Sequence, residues 1–528
     1  MTVSNWQKFL LFIFIILSLS LASKPALAFP PQLVPDISPT LEKIIARSKM
    51  ERTTSLGIAL VDIQTNQIRE EYNAGAALPW ASVSKMLSLY YALSILGPQN
   101  TFQTELLAHG EFSSSELQGD LILKGGGDPS LNTDGLLNLA LALKAQGITK
   151  ITGRLFYDEN NFHNQSEIAN FGVGDEAYNQ SIGALNLYFN RIQIVRSSEH
   201  GFRSVPNLPN FRMAQDEKAN FAQGQRFKFL ANNERLEDWL YSSGKHYEVL
   251  EELPIKNPSR FTAEIFADLL KAMQIQIGLP EVLLPEKQNG LYKNSKSIAV
   301  HHSVPIFELA RLAMEYSNNL YTEAMLIKAA RQETGKNVTL KEAAETMLAW
   351  LKANTTKIPW GEISMINGSG LTAENRFGAR TLATWIASTY LTQFAKSSNE
   401  STSPQYYWAL LPMAGQNSWL RERWNQPNIA HRLWAKTGTL DFVQSMAGIF
   451  VARSGKLYSF ALTATSPLER EKLDKEAQER RATCVPKDTP GAGCEGKGEK
   501  MPQARAGQFG SKAKGLFMDI IQDYYERF

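Results

Sequence analysis

The chain has 528 residues, 43% hydrophobic and 20% charged, an ordinary globular mix that excludes a disordered, collagen-like or coiled-coil array protein. Lys+Arg 55 against Asp+Glu 52 leaves a net charge of +3, which speaks against nucleic acid as a partner, because such proteins usually carry a strong basic excess. The length is that of about three domains.

At the start of the chain, Lys8 precedes an apolar run from Phe9 to Leu17 that continues through Leu19, Leu21 and Ala22 and ends at Pro25-Ala-Leu-Ala28. A basic start, a short apolar run and an A-x-A site make a secretory signal peptide over residues 1–28, too short in its apolar part for the ~20 residues of a membrane-spanning helix. No second long apolar run follows, so the expectation is an exported protein with no transmembrane span in the mature chain. Ser55–Asp62 reads as a buried strand and Gln67–Tyr72 as its hairpin partner. In the next segment Met86, Leu89, Tyr90 and Leu93 fall at helical spacing before a Gly97-Pro98 stop.

From about Thr101 to Val300 the texture changes to short alternating segments, such as Gly119–Lys124 and Ile151–Tyr157, between Gly/Asn/Ser/Pro loops. Pro305 then opens a helical pattern with Ile306, Leu309, Ala310 and Ala313 on one face, and a second helix is expected over Tyr321–Arg331. Three strand-like runs follow near the end: Ile429–Lys436, Ser445–Arg453 and Lys456–Thr465. After a solvated mixed-charge stretch, Glu469–Arg481, the chain closes on an amphipathic helix with Leu516, Phe517, Ile520, Ile521 and Tyr524 in one stripe. Two strands and a helix at one end and three strands and a helix at the other predict an α/β (α+β) domain of five strands built from residues 29–98 and 301–528. Residues 99–300 are then a large β-rich insertion. Cys484 and Cys494 are the two cysteines; an oxidising compartment would allow a disulfide between them. Two cysteines cannot supply four ligands to a structural zinc and the seven histidines show no H-E-x-x-H spacing, so neither metal nor cofactor is expected.

Three short motifs carry chemistry. Ser82-Val-Ser-Lys85 opens the first long helix, where Ser and Lys three apart share a face. Serine needs a base to become a nucleophile, and a desolvated lysine near another cation can act as one. S-x-x-K recurs at Ser242 and Ser511, but only Ser82 begins an apolar helix after a Pro-Trp turn and is followed by the other two motifs. The second is Ser317-Asn-Asn319, between two helical patterns: the Ser317 hydroxyl can relay a proton to a leaving amine and the Asn319 amide can hold a peptide group. Tyr316-x-Asn318 matches a Y-x-N element found in other serine acyl-transferring enzymes. Neighbouring helical residues point about 100° apart, so only one pair can face the site, and Ser317 with Asn319 is the choice. The third is Lys436-Thr-Gly438, where Lys436 and Thr437 can grip a carboxylate and Gly438 lets substrate lie against the strand. The backbone N–H groups of Thr439 and Ser82 can form an oxyanion hole.

The order S-x-x-K, S-x-N, K-T-G is the set found in penicillin-binding proteins and β-lactamases. With Ala81-Ser-Val-Ser-Lys85, Gly126-Gly-Asp-Pro-Ser-Leu131, Tyr316-Ser-Asn-Asn319, Asn367-Gly-Ser-Gly-Leu-Thr372, Leu411-Pro-Met-Ala-Gly415 and Ala435-Lys-Thr-Gly-Thr439, nearly the whole mature chain resembles the low-molecular-mass, class C penicillin-binding proteins of the penicillin-binding protein 4 type. The 235 residues between Ser82 and Ser317 weigh most, since that family inserts two small domains there and class A β-lactamases have far fewer residues.

The resemblance implies a transpeptidase-type fold, an antiparallel five-stranded sheet flanked by helices, and a periplasmic or otherwise cell-wall-facing D-alanyl-D-alanine carboxypeptidase/endopeptidase. Its partners would be peptidoglycan stem peptides and β-lactam antibiotics. Ser82 would be the acylated nucleophile, Lys85 its base, Ser317 and Asn319 would line the cleft, Lys436, Thr437, Gly438 and Thr439 would bind substrate, and Asp175 lies near where the family places a substrate-recognising acid. The family's usual S-D-N and D-G-S-G-L stand here as Ser-Asn-Asn and Asn-Gly-Ser-Gly-Leu. Two rival readings are a β-lactamase or esterase on the same scaffold and a catalytically silent cell-wall-binding homologue.

Overall fold

The computed structural model describes residues 37–50, 52–169, 176–197, 201–206, 211–215, 227–230, 237–241, 250–355, 358–395, 407–416, 420–473, 475 and 502–528. The signal-peptide segment 1–28, Asp175, Cys484 and Cys494 lie outside these residues.

Both ends of the chain meet in one antiparallel sheet. Its strands are β1 (Ser55–Asp62), β2 (Gln67–Tyr72), β3 (Leu433–Leu440), β4 (Val443–Val451) and β5 (Leu457–Thr465), in the spatial order β3-β4-β5-β1-β2. β1 pairs with β5 from Ser55↔Thr465 to Asp62↔Tyr458, so the first strand of the fold is completed by one from near the other end of the chain. The near-continuous apolar run of β1 is explained by burial on both faces. Ala59 and Val61 join Ala447, Ile449 and Ala461 in one core, while Leu56, Ile58 and Leu60 join Met446, Phe450, Phe460 and Leu462 in another.

Four helices position the rest: α1 (Lys85–Leu96), α2 (Asn319–Thr334), α3 (Ala379–Ala395) and α4 (Pro502–Arg527). α4 covers the second face through the stripe read from sequence: Leu516, Phe517, Ile520, Ile521 and Tyr524 are all buried there. α3 covers the first face with Leu382, Trp385 and Ile386, and α1 lies in the same core with Met86, Leu89 and Leu93. α1 stops at Gly97 (φ 78), whose N–H returns to the Leu93 carbonyl, as the Gly-Pro stop predicts. Among the described residues no helix is long and apolar enough to cross a membrane.

Two differences from the sequence reading matter. Lys436 lies inside a strand, not at its end: Ile429–Arg432 form turns, and β3 pairs with β4 from Leu433↔Phe450 to Leu440↔Val443. The second helix of the Pro305 region starts two residues early, at Asn319, because the Asn318 side chain caps it.

The region between α1 and α2 is β-rich. Glu116–Gly125 lies between Gln103–Ser113 and Leu155–Asp158, with Ser295–His302, Pro280–Val282 and Lys150–Ile151 completing a six-stranded sheet. Two three-stranded sheets follow, one with Arg191–Ser197 at its centre and the other with Glu237–Tyr241. This region docks on α2: the Phe189 ring stacks on Tyr321 at 5.7 Å, and Arg331 donates to the Asn161 carbonyl at 2.6 Å.

Candidate active site

The three motifs converge. Ser82 sits in a single 3₁₀ turn, Ala81–Ser84, that leads into α1. Ala81 is held at φ 46, in the left-handed region that an L-residue occupies only when its surroundings demand it. The demand comes from two sides. Gly370 (φ 76) packs so closely that a Cβ there would overlap the Ala81 carbonyl oxygen. On the other side a Cβ at Gly438 would lie 2.5 Å from the Trp80 oxygen and 2.9 Å from the Ser82 backbone nitrogen. Beyond the expectation that Gly438 lets substrate lie against the strand, its missing side chain also admits the turn that carries Ser82.

Lys85 Nζ lies 2.9 Å from Ser82 Oγ, 2.7 Å from Asn319 Oδ1 and 2.8 Å from the Ser369 carbonyl oxygen. All three oxygens accept from the Lys85 amine, and of the three only the Ser82 hydroxyl carries a proton that it could give in return. Burial pushes Lys85 well below the usual lysine range, the neighbouring Lys436 adds to the effect, and Glu323 opposes it.

Lys436 is also buried, and burial brings it down to about 7. Its ammonium donates to Ser317 Oγ at 3.0 Å and to the Thr437 carbonyl at 2.8 Å. Ser317 has φ 56 and stands just before α2, which aims its hydroxyl at Lys436 while Asn319, in the first turn, reaches Lys85. The competing pair points elsewhere: Asn318 Oδ1 accepts from the Tyr321 N–H, and Tyr316 is 67% exposed. Asn319 is engaged within the protein through both atoms of its amide, since Nδ2 donates to the Tyr178 carbonyl at 2.9 Å.

On the outer strand, side chains alternate. Lys436 and Gly438 are buried toward the Ser82 turn, whereas Thr437 is half-buried and Thr439 exposed, with Oγ1 donating to Gln444 Oε1 at 3.1 Å. β3 is an edge strand, and beyond Thr437 no strand pairs with its outer side among the described residues. The Asn367–Gly370 turn closes the back of the site. Asn367 Oδ1 accepts from the Gly370 N–H at 3.0 Å and from Asn375 Nδ2 at 3.2 Å, so its amide oxygen does what a carboxylate oxygen would do there.

Glu323 and Tyr178 escaped sequence reasoning. Glu323 is fully buried one turn beyond Asn319, with its carboxylate accepting from the N–H groups of Gly368 and Ser369. An acid amid Ala324, Met325, Leu326 and Ile327 was the available signal.

The model of the D-Ala-D-Ala carboxypeptidase 3 (S13) family matches residues 37–484. The chain is 23% identical over 427 residues to the D-alanyl-D-alanine carboxypeptidase DacB of Haemophilus influenzae, covering 78% of this chain and 85% of that one. The crystal structure of penicillin binding protein 4 from the same organism superposes with a TM-score of 0.70 at 20% identity, over 92% of this chain and 99% of that one. Its complex with a novel β-lactam gives 0.69 at 19% identity, over the same shares of both chains.

Proposed function

We propose, for a chain that belongs to the D-Ala-D-Ala carboxypeptidase 3 (S13) family and is a serine-type D-Ala-D-Ala carboxypeptidase of the penicillin-binding protein 4 type, that Ser82 carries out the acyl transfer with Lys85 as its base. The observation that carries this reading is the contact of 2.9 Å between Ser82 Oγ and a buried amine whose other two polar contacts are both acceptors.

Ser82 Oγ attacks the carbonyl carbon of the penultimate D-Ala as its proton passes to Lys85 Nζ. The oxyanion is taken by the backbone N–H groups of Ser82 and Thr439. The C–N bond then breaks, and the proton taken up by Lys85 is relayed through the Ser317 hydroxyl, held by Lys436, to the leaving D-Ala amine, which returns Lys85 to its neutral form. Water, activated by Lys85, hydrolyses the acyl-Ser82 ester. The terminal carboxylate of the stem peptide rests against Lys436 and Thr437, with the peptide lying along the open edge of β3 beside Gly438. Asn319 contributes by orienting Lys85. A β-lactam enters as the same kind of amide, but its leaving group stays tethered, and the Ser82 ester persists. The same chemistry extends to D-Ala–diaminopimelate cross-links, with Asp175 as a recognising acid. The setting is the exported protein, periplasmic or cell-wall-facing, with residues 1–28 removed. Residues 29–98 and 301–528 form its catalytic part, and 99–300 the insertion.

Labelled penicillin followed by peptide mass spectrometry, together with purified muropeptides resolved by chromatography, tests this. A long-lived adduct on Ser82 and release of D-Ala are expected. Folded protein without an adduct on Ser82 rejects the assignment, rapid turnover of penicillin favours a β-lactamase, and muropeptide binding without D-Ala release favours a silent homologue.

Lys436 sets a pH dependence. An ionised carboxylate needs the protonated ammonium, and burial brings that group down to about 7. KM for a carboxylate-terminated peptide should therefore rise as the pH is raised through about 7, and Lys436→Met should flatten the rise. Steady-state kinetics against a matched substrate lacking the carboxylate isolates the effect: an equal rise with that substrate contradicts it. The linkage has a definite sign. Between about 7 and the ordinary lysine range the unfolded chain binds more protons than the folded one, so this group makes stability increase with pH across that window.

A further inference from the structure

The hydrogen bonds of α2 reach Lys85 by two routes. Asn319 accepts directly from Lys85 Nζ. Glu323, four residues on and on the same helix face, accepts from the backbone N–H of Gly368 at 2.8 Å and of Ser369 at 2.7 Å. The Ser369 carbonyl in turn accepts from Lys85 Nζ at 2.8 Å. The turn is clamped from a second side, because Ser88 Oγ of α1 donates to the Gly368 carbonyl at 2.8 Å. It has no slack: a Cβ at Gly368 would meet Leu326 Cδ2 at 2.8 Å and Glu323 Oε2 at 3.1 Å. Both acceptors that orient the Lys85 amine are thus set by α2, one of them through a fully buried carboxylate.

We propose that Glu323 is a positioning residue for acyl transfer, holding the 368–369 turn so that the Ser369 carbonyl fixes the Lys85 amine and placing a negative charge beside that amine. The inference rests on the reading of Ser82 and Lys85 given above. Among the described residues, the titratable groups that face Lys85 are Lys436 from β3 and Glu323 from α2; the Asn367–Gly370 turn brings none. Burial pushes the Glu323 carboxyl upward, and the hydrogen bonds from Ser369 and Gly368 and the charge of Lys85 oppose it. With both carboxylate oxygens accepting from main-chain N–H groups, the turn is built around the ionised form.

Two substitutions separate position from charge. In Glu323→Gln the amide has one acceptor oxygen and presents an NH₂ to the second main-chain N–H, so the turn loses one anchor and Lys85 loses its anion. The plateau of kcat/KM should fall about a hundredfold. The acid limb, which reports Lys85 losing its proton, should move to lower pH by about one unit or more, because an adjacent anion favours the charged amine. In Glu323→Asp the charge stays but the reach is shortened by one methylene, so the plateau falls while the limb stays in place. Acylation of Ser82 by labelled penicillin is followed in parallel, with folding checked by thermal unfolding. A structural role alone would lower the plateau of both variants without moving either limb, and that result overturns the proposal, as do wild-type profiles in both. Should Glu323→Gln fail to fold, an Asp variant with a wild-type plateau still rejects the positioning role. The wild-type chain distinguishes the two failures: no Ser82 adduct there defeats the underlying reading, whereas a normal adduct with indifferent variants defeats only the role of Glu323.

Discussion

Lys85→Met is expected to leave a folded protein in which Ser82 is acylated about four orders of magnitude more slowly, the upper range of what a positioned base contributes. Methionine matches the length of the lysine stem, so Met86, Leu89 and the rest of the α1 core keep their neighbours. What is lost is polar. Asn319 Oδ1 and the Ser369 carbonyl each lose the Lys85 donor, at about 1–3 kcal/mol apiece. Removal of an amine that the folded protein resists charging offsets that cost. The sign of the offset depends on pH. Because burial holds Lys85 well below the lysine range when folded, the unfolded chain takes up this proton first as the pH falls, and the wild-type loses stability in that direction. The methionine variant lacks this loss, so its stability relative to wild-type should improve as the pH falls below the ordinary lysine range and level off once the folded-state amine is itself protonated. Stopped-flow acylation with a chromogenic β-lactam and urea unfolding at several pH values read the two effects separately. Acylation at the wild-type rate would remove Lys85 from the chemistry, and Ser82→Ala, expected to show no adduct at all, provides the baseline.

The parts of this fold that were legible in the sequence are those where one physical signal dominates. The β1 run and its Gln67–Tyr72 partner, the Gly97 stop and the Leu516–Tyr524 stripe each follow from a period or a stop residue, and each appears where expected. Helices in the 335–400 region went unread, although Thr339 and Glu342 form a capping box that starts one over Leu340–Asn354. The site was legible where its residues sit in short linear motifs, since adjacent residues carry their geometry with them. Ser317 and Asn319 straddle a cap residue, and the choice between them and Tyr316/Asn318 rested on which pair faces inward; the left-handed backbone at Ser317 and the cap made by Asn318 are the local cause. Glu323 went unread for the opposite reason, its apolar neighbours being a weak signal by themselves. A lone acid in a helix is usually solvated, and only the approach of the Asn367–Gly370 turn, some forty residues further along, explains its burial. Gly438 was noticed, but its packing against the Ser82 turn was not legible, because Trp80 and Ser82 come from the other end of the chain.

That packing yields the second large prediction. Gly438→Ala should lower kcat/KM by about 10²–10³-fold, the loss associated with one oxyanion donor, and destabilise the fold by about 1–3 kcal/mol through overpacking. The new methyl would lie 2.5 Å from Ser445 Oγ, 2.5 Å from the Trp80 carbonyl oxygen and 2.9 Å from the Ser82 nitrogen. None of these gives way easily. Ser445 Oγ itself donates to the Trp80 oxygen at 2.6 Å, and the Trp80 indole N–H donates to the Phe377 carbonyl at 2.7 Å, so the turn is tied to the sheet on one side and to the segment before α3 on the other. Relief has to come from β3 moving outward, which is open to it as an edge strand. Such a movement separates the Thr439 N–H from the Ser82 N–H and draws Lys436 Nζ away from Ser317 Oγ, so both the oxyanion site and the carboxylate site open together. Both kcat and the affinity for carboxylate-terminated substrate should therefore fall, whereas a purely global destabilisation would lower the active fraction and leave KM alone. Gly75→Ala is the matched control, because a Cβ there meets nothing within 4 Å and its backbone is not left-handed. A Gly438→Ala enzyme with wild-type kcat/KM would show that β3 and the Ser82 turn need not touch for the reaction to proceed.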